Sequence, residues 1–131
     1  MRFVDTSFWY ALADRSDRHH SQGHLLRSSR SQRLVTSNHV LGETWTLVRW
    51  RLGHGMATRV TDAILAVASL ELVSVDARLE RDAWRWLRSH VEREYPFVDA
   101  TSVAVMRSRR IREALAFDGH FNAAGFVEVR P

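Results

Sequence analysis

The chain has 131 residues, 45% hydrophobic and 26% charged, which suits one compact domain with an ordinary core over residues 1–131. It has no cysteine, so disulfides, zinc–thiolate sites and thiol catalysis are excluded. All 19 Lys/Arg positions are arginine, with a formal charge of +4 and an isoelectric point near 10.8; the missing lysine excludes a phosphate-loop lysine, a Schiff base and a phosphoaspartate enzyme with a lysine partner.

Codon bias in a GC-rich genome accounts for most of the arginine preference, yet each arginine still offers a permanent charge and a bidentate grip on phosphate. The first apolar stretch stops at Asp5, too soon for a signal peptide. The longest apolar runs, 8–13 and 63–68, are six residues each, against the ~20 that a membrane span needs. A cytoplasmic protein with no membrane segment is expected.

In chain order, Phe3 and Val4 read as a short buried strand entering Asp5. Residues 6–14 read as a helix with aromatic residues Phe8, Trp9 and Tyr10, and the His/Arg-rich stretch 16–31 as a polar surface helix. Residues 34–36 are a strand candidate, and Ser37 and Asn38 offer a cap for a helix over 40–52. Gly53, His54 and Gly55 punctuate the chain before a helix over 57–68. Residues 70–75 form a strong strand candidate, with Asp76 capping a helix that runs to about residue 93. After Pro96, Phe97 and Val98 repeat the apolar entry to an aspartate, Asp99, and a helix follows over 101–109. Residues 115–117 form a strand ending at Asp118, and 126–129 a last strand. Strands alternating with helices predict an α/β/α sandwich with a mostly parallel sheet of four to five strands.

Asp5, Asp99 and Asp118 share one context: each follows a two- or three-residue apolar strand and precedes a helix or turn signal. Strand carboxyl ends line one edge of a parallel sheet, so three such carboxylates converge there even though they are distant in sequence. Taken singly, each reads rather as a helix cap; it is the three together that favour the functional reading. Glu43 sits about 60° from Val40 and about 40° from Leu47 on its helix, on the rim of the buried face. Four carboxylates in one place repel each other, and a hard cation such as Mg²⁺ or Mn²⁺ relieves the conflict while activating water against a phosphodiester. The hydroxyls of Thr6, Ser7, Thr101 and Ser102 are placed to orient carboxylates or water.

These motifs come in a recognisable order: apolar-Asp-Thr-Ser at the start, a mid-chain helical Glu, Asp-Ala-Thr-Ser, then Ala-Phe-Asp-Gly-His-Phe and a closing strand through Val127. Along essentially its whole length the chain resembles the PIN domain, in particular the toxin half of a bacterial VapBC-type toxin–antitoxin pair. The resemblance implies an Mg²⁺- or Mn²⁺-dependent endoribonuclease, a hydrolase whose acidic residues are Asp5, Glu43, Asp99 and Asp118, with Asp118 the least uniformly essential. It also implies an RNA substrate, a cognate antitoxin protein and a homodimer. The competing readings are a DNA nuclease with a similar acidic site and a non-catalytic RNA- or protein-binding module on the same fold.

Other features carry less. His19, His20 and His24 read as a solvated helix rather than a metal site, and His120 as a surface histidine, with substrate contact or proton carriage as the functional alternative. Arg107, Arg109, Arg110 and Arg112 follow the Asp99 helix, where they suit RNA phosphates or the negative end of the helix dipole. Trp45, Trp84 and Trp86 are assigned to the core. Phe8, Trp9 and Tyr10 need cover from the sheet, a second copy or a partner helix.

Overall fold

A computed structural model describes residues 1–28 and 32–131. Strands β1 (Arg2–Val4), β2 (Leu34–Ser37), β3 (Leu70–Val73), β4 (Glu113–Leu115) and β5 (Val127–Glu128) form one sheet in the order β3-β2-β1-β4-β5, with every pairing parallel. Seven helices accompany them among the described residues: α1 (Thr6–Ala13), α2 (His20–Ser28), α3 (Asn38–Leu52), α4 (His54–Leu65), α5 (Ala77–Ser89), α6 (Phe97–Arg109) and α7 (His120–Ala123). Right-handed crossovers place α1 to α4 on one face of the sheet and α5 to α7 on the other. The expected α/β/α sandwich is what forms. Residues 29–31, the end of the expected polar helix, lie outside the described residues.

The central strands β1, β2 and β4 are buried on both faces, as parallel strands are, while the edge strands β3 and β5 stay partly exposed. Phe3, Val4, Val35 and Leu115 are almost fully enclosed, and Phe8, Met106 and Phe121 pack on the same core. Helix starts follow the polar signals. Ser37 accepts from the Val40 N–H at 3.1 Å and Asp76 from the Leu79 N–H at 2.9 Å. Phe8, Trp9 and Tyr10 are buried within the chain itself, Tyr10 against Val48 and Ala57 of α3 and α4, so no partner is needed to cover them.

Four expectations are corrected. Phe97 and Val98 are the first turn of α6, not a strand: Pro96 starts a helix as readily as it ends one, and α6 is buried from Asp99 to Met106, so no amphipathic pattern marks it. Helix α4 begins at His54 and α5 ends at Ser89, each earlier than expected. Trp84 is exposed at 43% while Trp86 is at 5%, because residues two apart on a helix point in nearly opposite directions.

Candidate active site

The chain builds β1, β2 and β3 outward in one direction, then returns to lay β4 and β5 on the other side of β1. Connections diverge where the order reverses, between β1 and β4, and ligands of parallel sheets bind at the carboxyl ends of such strands. Asp5 directly follows β1, and Asp118 lies three residues beyond β4. Asp99 arrives from α6: the helix runs back against the strands, so its first turn lies at the same edge. Glu43, half-buried in the second turn of α3, lines an open cavity of about 660 Å³ with His39, Trp50 and Val98.

Each acid is held differently. Asp5 caps α1: its Oδ2 accepts from the Ser7 N–H at 3.0 Å and the Ser7 hydroxyl at 2.7 Å. The same Ser7 oxygen accepts from the Phe117 N–H at 3.0 Å, which ties β1 to the loop carrying Asp118. The other oxygen of Asp5, Oδ1, is buried without a partner, and so is Oδ2 of Asp99. The helix cap of Asp5 thus uses one carboxylate oxygen and leaves the other without a hydrogen bond. Asp118 is exposed and turns its Oδ1 back to the His120 N–H at 3.0 Å.

Burial and neighbouring charge push both enclosed acids up. The Asp5 carboxyl rises from 3.8 to about 7, first through burial and then through the charges of Asp118 and Glu43, partly countered by the Ser7 hydrogen bonds. The Asp99 carboxyl rises to about 9, again first through burial and then through Asp5, Asp118, Glu43 and Glu128. Ligand atoms of Asp99, Asp118 and His120 lie within 4.8 Å of one another, the only such group of three or more among the described residues. Two orphaned buried carboxylate oxygens amid mutually repelling acids form a donor set that fits a hard divalent cation.

His120 does more than the sequence suggested. Its Nε2 lies 3.9 Å from Asp99 Oδ2, and its Nδ1 accepts from Arg93 Nε at 2.9 Å. An imidazole nitrogen that accepts from an arginine carries no proton, so the ring's proton sits on Nε2 and faces the acids as a donor. Glu128 escaped the sequence reading altogether. Fully enclosed, it accepts from the backbone N–H groups of Gly119, Phe121 and Asn122 and pairs with Arg130 at 3.2 Å, which fixes the turn bearing Asp118 and His120. An acidic residue between apolar neighbours in the last strand was the only available signal.

The hydroxyls divide. Only Ser7 bonds a site carboxylate; Thr6 bonds the Val40 carbonyl, and Thr101 and Ser102 bond the Val98 carbonyl of their own helix. The arginine run from Arg107 lies about 12–15 Å further along α6 from Asp99, at the opposite sheet edge, and Arg109 pairs with Glu71 at 2.7 Å. Arg110 and Arg112 are exposed there. His20 bonds the Ala11 carbonyl and packs against His24, while His19 stacks on Phe117, so these histidines serve packing.

The family model described as PIN domain matches residues 2–127. The chain belongs to the PIN-domain family. Two curated PIN relatives, each named 23S rRNA-specific endonuclease VapC20, come from Mycobacterium tuberculosis strains CDC 1551 / Oshkosh and ATCC 25618 / H37Rv. Each is 54% identical over 131 residues, covering 100% of this chain and 99% of its own. A crystal structure of Mycobacterium tuberculosis VapC20, described as a sarcin-ricin loop cleaving toxin, matches this PIN domain with a TM-score of 0.95 and 52% identity, covering 100% of both chains.

Proposed function

We propose that this PIN domain is a metal-dependent endoribonuclease and the toxin of a VapBC-type toxin–antitoxin pair, with large-subunit ribosomal RNA as its substrate class. The observation that carries the reading is the pair of buried, unpartnered oxygens on Asp5 and Asp99 at the sheet's carboxyl edge. Full-length likeness to 23S rRNA-specific endonucleases supports the substrate class. Asp5, Glu43, Asp99 and Asp118 would hold Mg²⁺ or Mn²⁺. A divalent cation bound there supplies positive charge for the scissile phosphate and lowers the pKa of water.

The chain's own residues position and protect. Ser7 keeps one Asp5 oxygen occupied and leaves the other without a hydrogen bond. Arg93 holds His120 with Nε2–H towards Asp99, where it can donate to a phosphate oxygen. No side chain serves as nucleophile. Water attacks phosphorus, the P–O3′ bond breaks, and the products carry a 5′-phosphate and a 3′-hydroxyl. The reading includes a cytoplasmic location, a cognate antitoxin and a homodimer.

The test is to incubate purified protein with naked 23S rRNA, with intact ribosomes and with a DNA oligonucleotide of matching sequence, in Mg²⁺ or Mn²⁺. Discrete cleavage of the RNA, with the DNA left whole, is expected. Cleavage of DNA alone, or of neither, overturns the reading.

A further inference from the structure

Helix α5 has one strongly basic outer face. At about 100° per residue, Arg81, Trp84, Arg85 and Arg88 fall within roughly 100° of one another, and Arg81 to Arg88 span about 10 Å of axis. All four are exposed and line a shallow cleft of about 560 Å³. The helix also bears Glu80 and Asp82, and Asp82 faces Arg85 at 3.6 Å in a solvated i,i+3 pair.

The tryptophan is the unexpected member. Trp86 fills the core on the opposite side of α5, whereas the Trp84 indole stays 43% exposed among arginines. Its ring lies 4.3 Å from that of Phe97, two residues before Asp99. The Phe97 ring is in turn 6.1 Å from that of His39, which lines the Glu43 cavity. An aromatic path thus leads from the arginines of α5 to the carboxylates.

We propose that this face of α5 docks single-stranded RNA, with Arg81, Arg85 and Arg88 on backbone phosphates and the Trp84 indole stacked on an unpaired base. The proposal rests on the ribonuclease reading and adds to it the surface that delivers the strand. Arginine rows beside an exposed aromatic are the chemistry that grips an unpaired strand, since every base offers a π face. A second copy is the poorer occupant: two-fold pairing of this face would set arginine against arginine.

The experiment measures binding of a labelled stem–loop RNA by fluorescence anisotropy in chelator, over a salt series, beside cleavage of the same RNA in Mn²⁺. Arg85→Gln/Arg88→Gln should weaken binding by about 10- to 100-fold and lower the log–log salt slope by about 1.4, since each single-strand phosphate contact contributes about 0.7. Trp84→Ala should weaken it about 5- to 150-fold with the slope unchanged, and Trp84→Phe should restore most of the loss. Cleavage by these variants should show raised KM with kcat largely kept. Arg59→Gln on α4 controls for net charge, and thermal melts control for folding. Wild-type affinity and slope in the double variant overturn the proposal. So does a loss that Arg59→Gln reproduces, or one that accompanies a change in sedimentation, which would mark an interface between copies. If the wild-type protein cleaves no RNA at all, the ribonuclease reading fails first, and the docking face falls with it.

Discussion

Asp5 and Asp99 bury oxygens with nothing to bond, and this makes the metal-free protein sensitive to pH. Their folded pKa values, about 7 and about 9, lie above the unfolded 3.8, so from about pH 4 upwards the folded chain binds more protons than the unfolded one. Stability then falls as pH rises through that window. Asp99→Asn removes the conflict: in chelator it should melt about 5 °C higher than wild type at pH 8, with the gain shrinking towards pH 4. Equal melting temperatures at pH 8 would contradict the assigned burial and repulsion. The same substitution, like Asp5→Asn, should cut RNA cleavage by at least about 100-fold. Glu43→Gln should be nearly as severe and the exposed Asp118→Asn milder. Ser7→Ala strips one Asp5 contact and leaves the Phe117 N–H unpaired; a loss of about 1–2 kcal/mol in stability and about 10- to 100-fold in kcat is expected from denaturation and steady-state kinetics.

Among the elements, those with local signals could be read in advance and those set by tertiary packing could not. Asp5, Ser37 and Asp76 are polar caps before periodic apolar runs, and each starts a helix where expected. Phe97 and Val98 carry the same letters as Phe3 and Val4 but fold differently, because α6 packs against both α5 and the sheet core and is buried nearly all round, polar residues included. Asp99 was therefore found for a partly wrong reason: it ends no strand, yet a helix start reaches the same sheet edge. The roles of Arg93 and Glu128 depend on contacts 27 and 6–9 residues distant, and no spacing rule announces them. The end of α6 is unusual in setting a non-glycine residue, Arg110, at φ 56°. Arg110→Gly should stabilise the protein by about 0.5–1 kcal/mol in urea denaturation, and a loss of similar size would show that the arginine side chain outweighs the backbone cost.

At the scale of the whole molecule, the two sheet edges differ in kind. The carboxyl edge gathers the acids, and the other carries the arginine run and its pair with Glu71. No helix among the described residues is long and apolar enough to cross a membrane. A toxin–antitoxin role predicts that catalytic charge and antitoxin binding are separate determinants. Expression alone should slow bacterial growth and co-expression of the cognate antitoxin should restore it, while Asp5→Asn should be harmless yet still bind that antitoxin in pull-down. The central claim is that the converging carboxylates cleave RNA only with a divalent cation, and end-group analysis of the products tests it most directly. Fragments carrying 5′-phosphates, formed in Mg²⁺ or Mn²⁺ and absent in excess chelator, are the predicted result; undiminished cleavage in chelator, or ends bearing 2′,3′-cyclic phosphates, would contradict it.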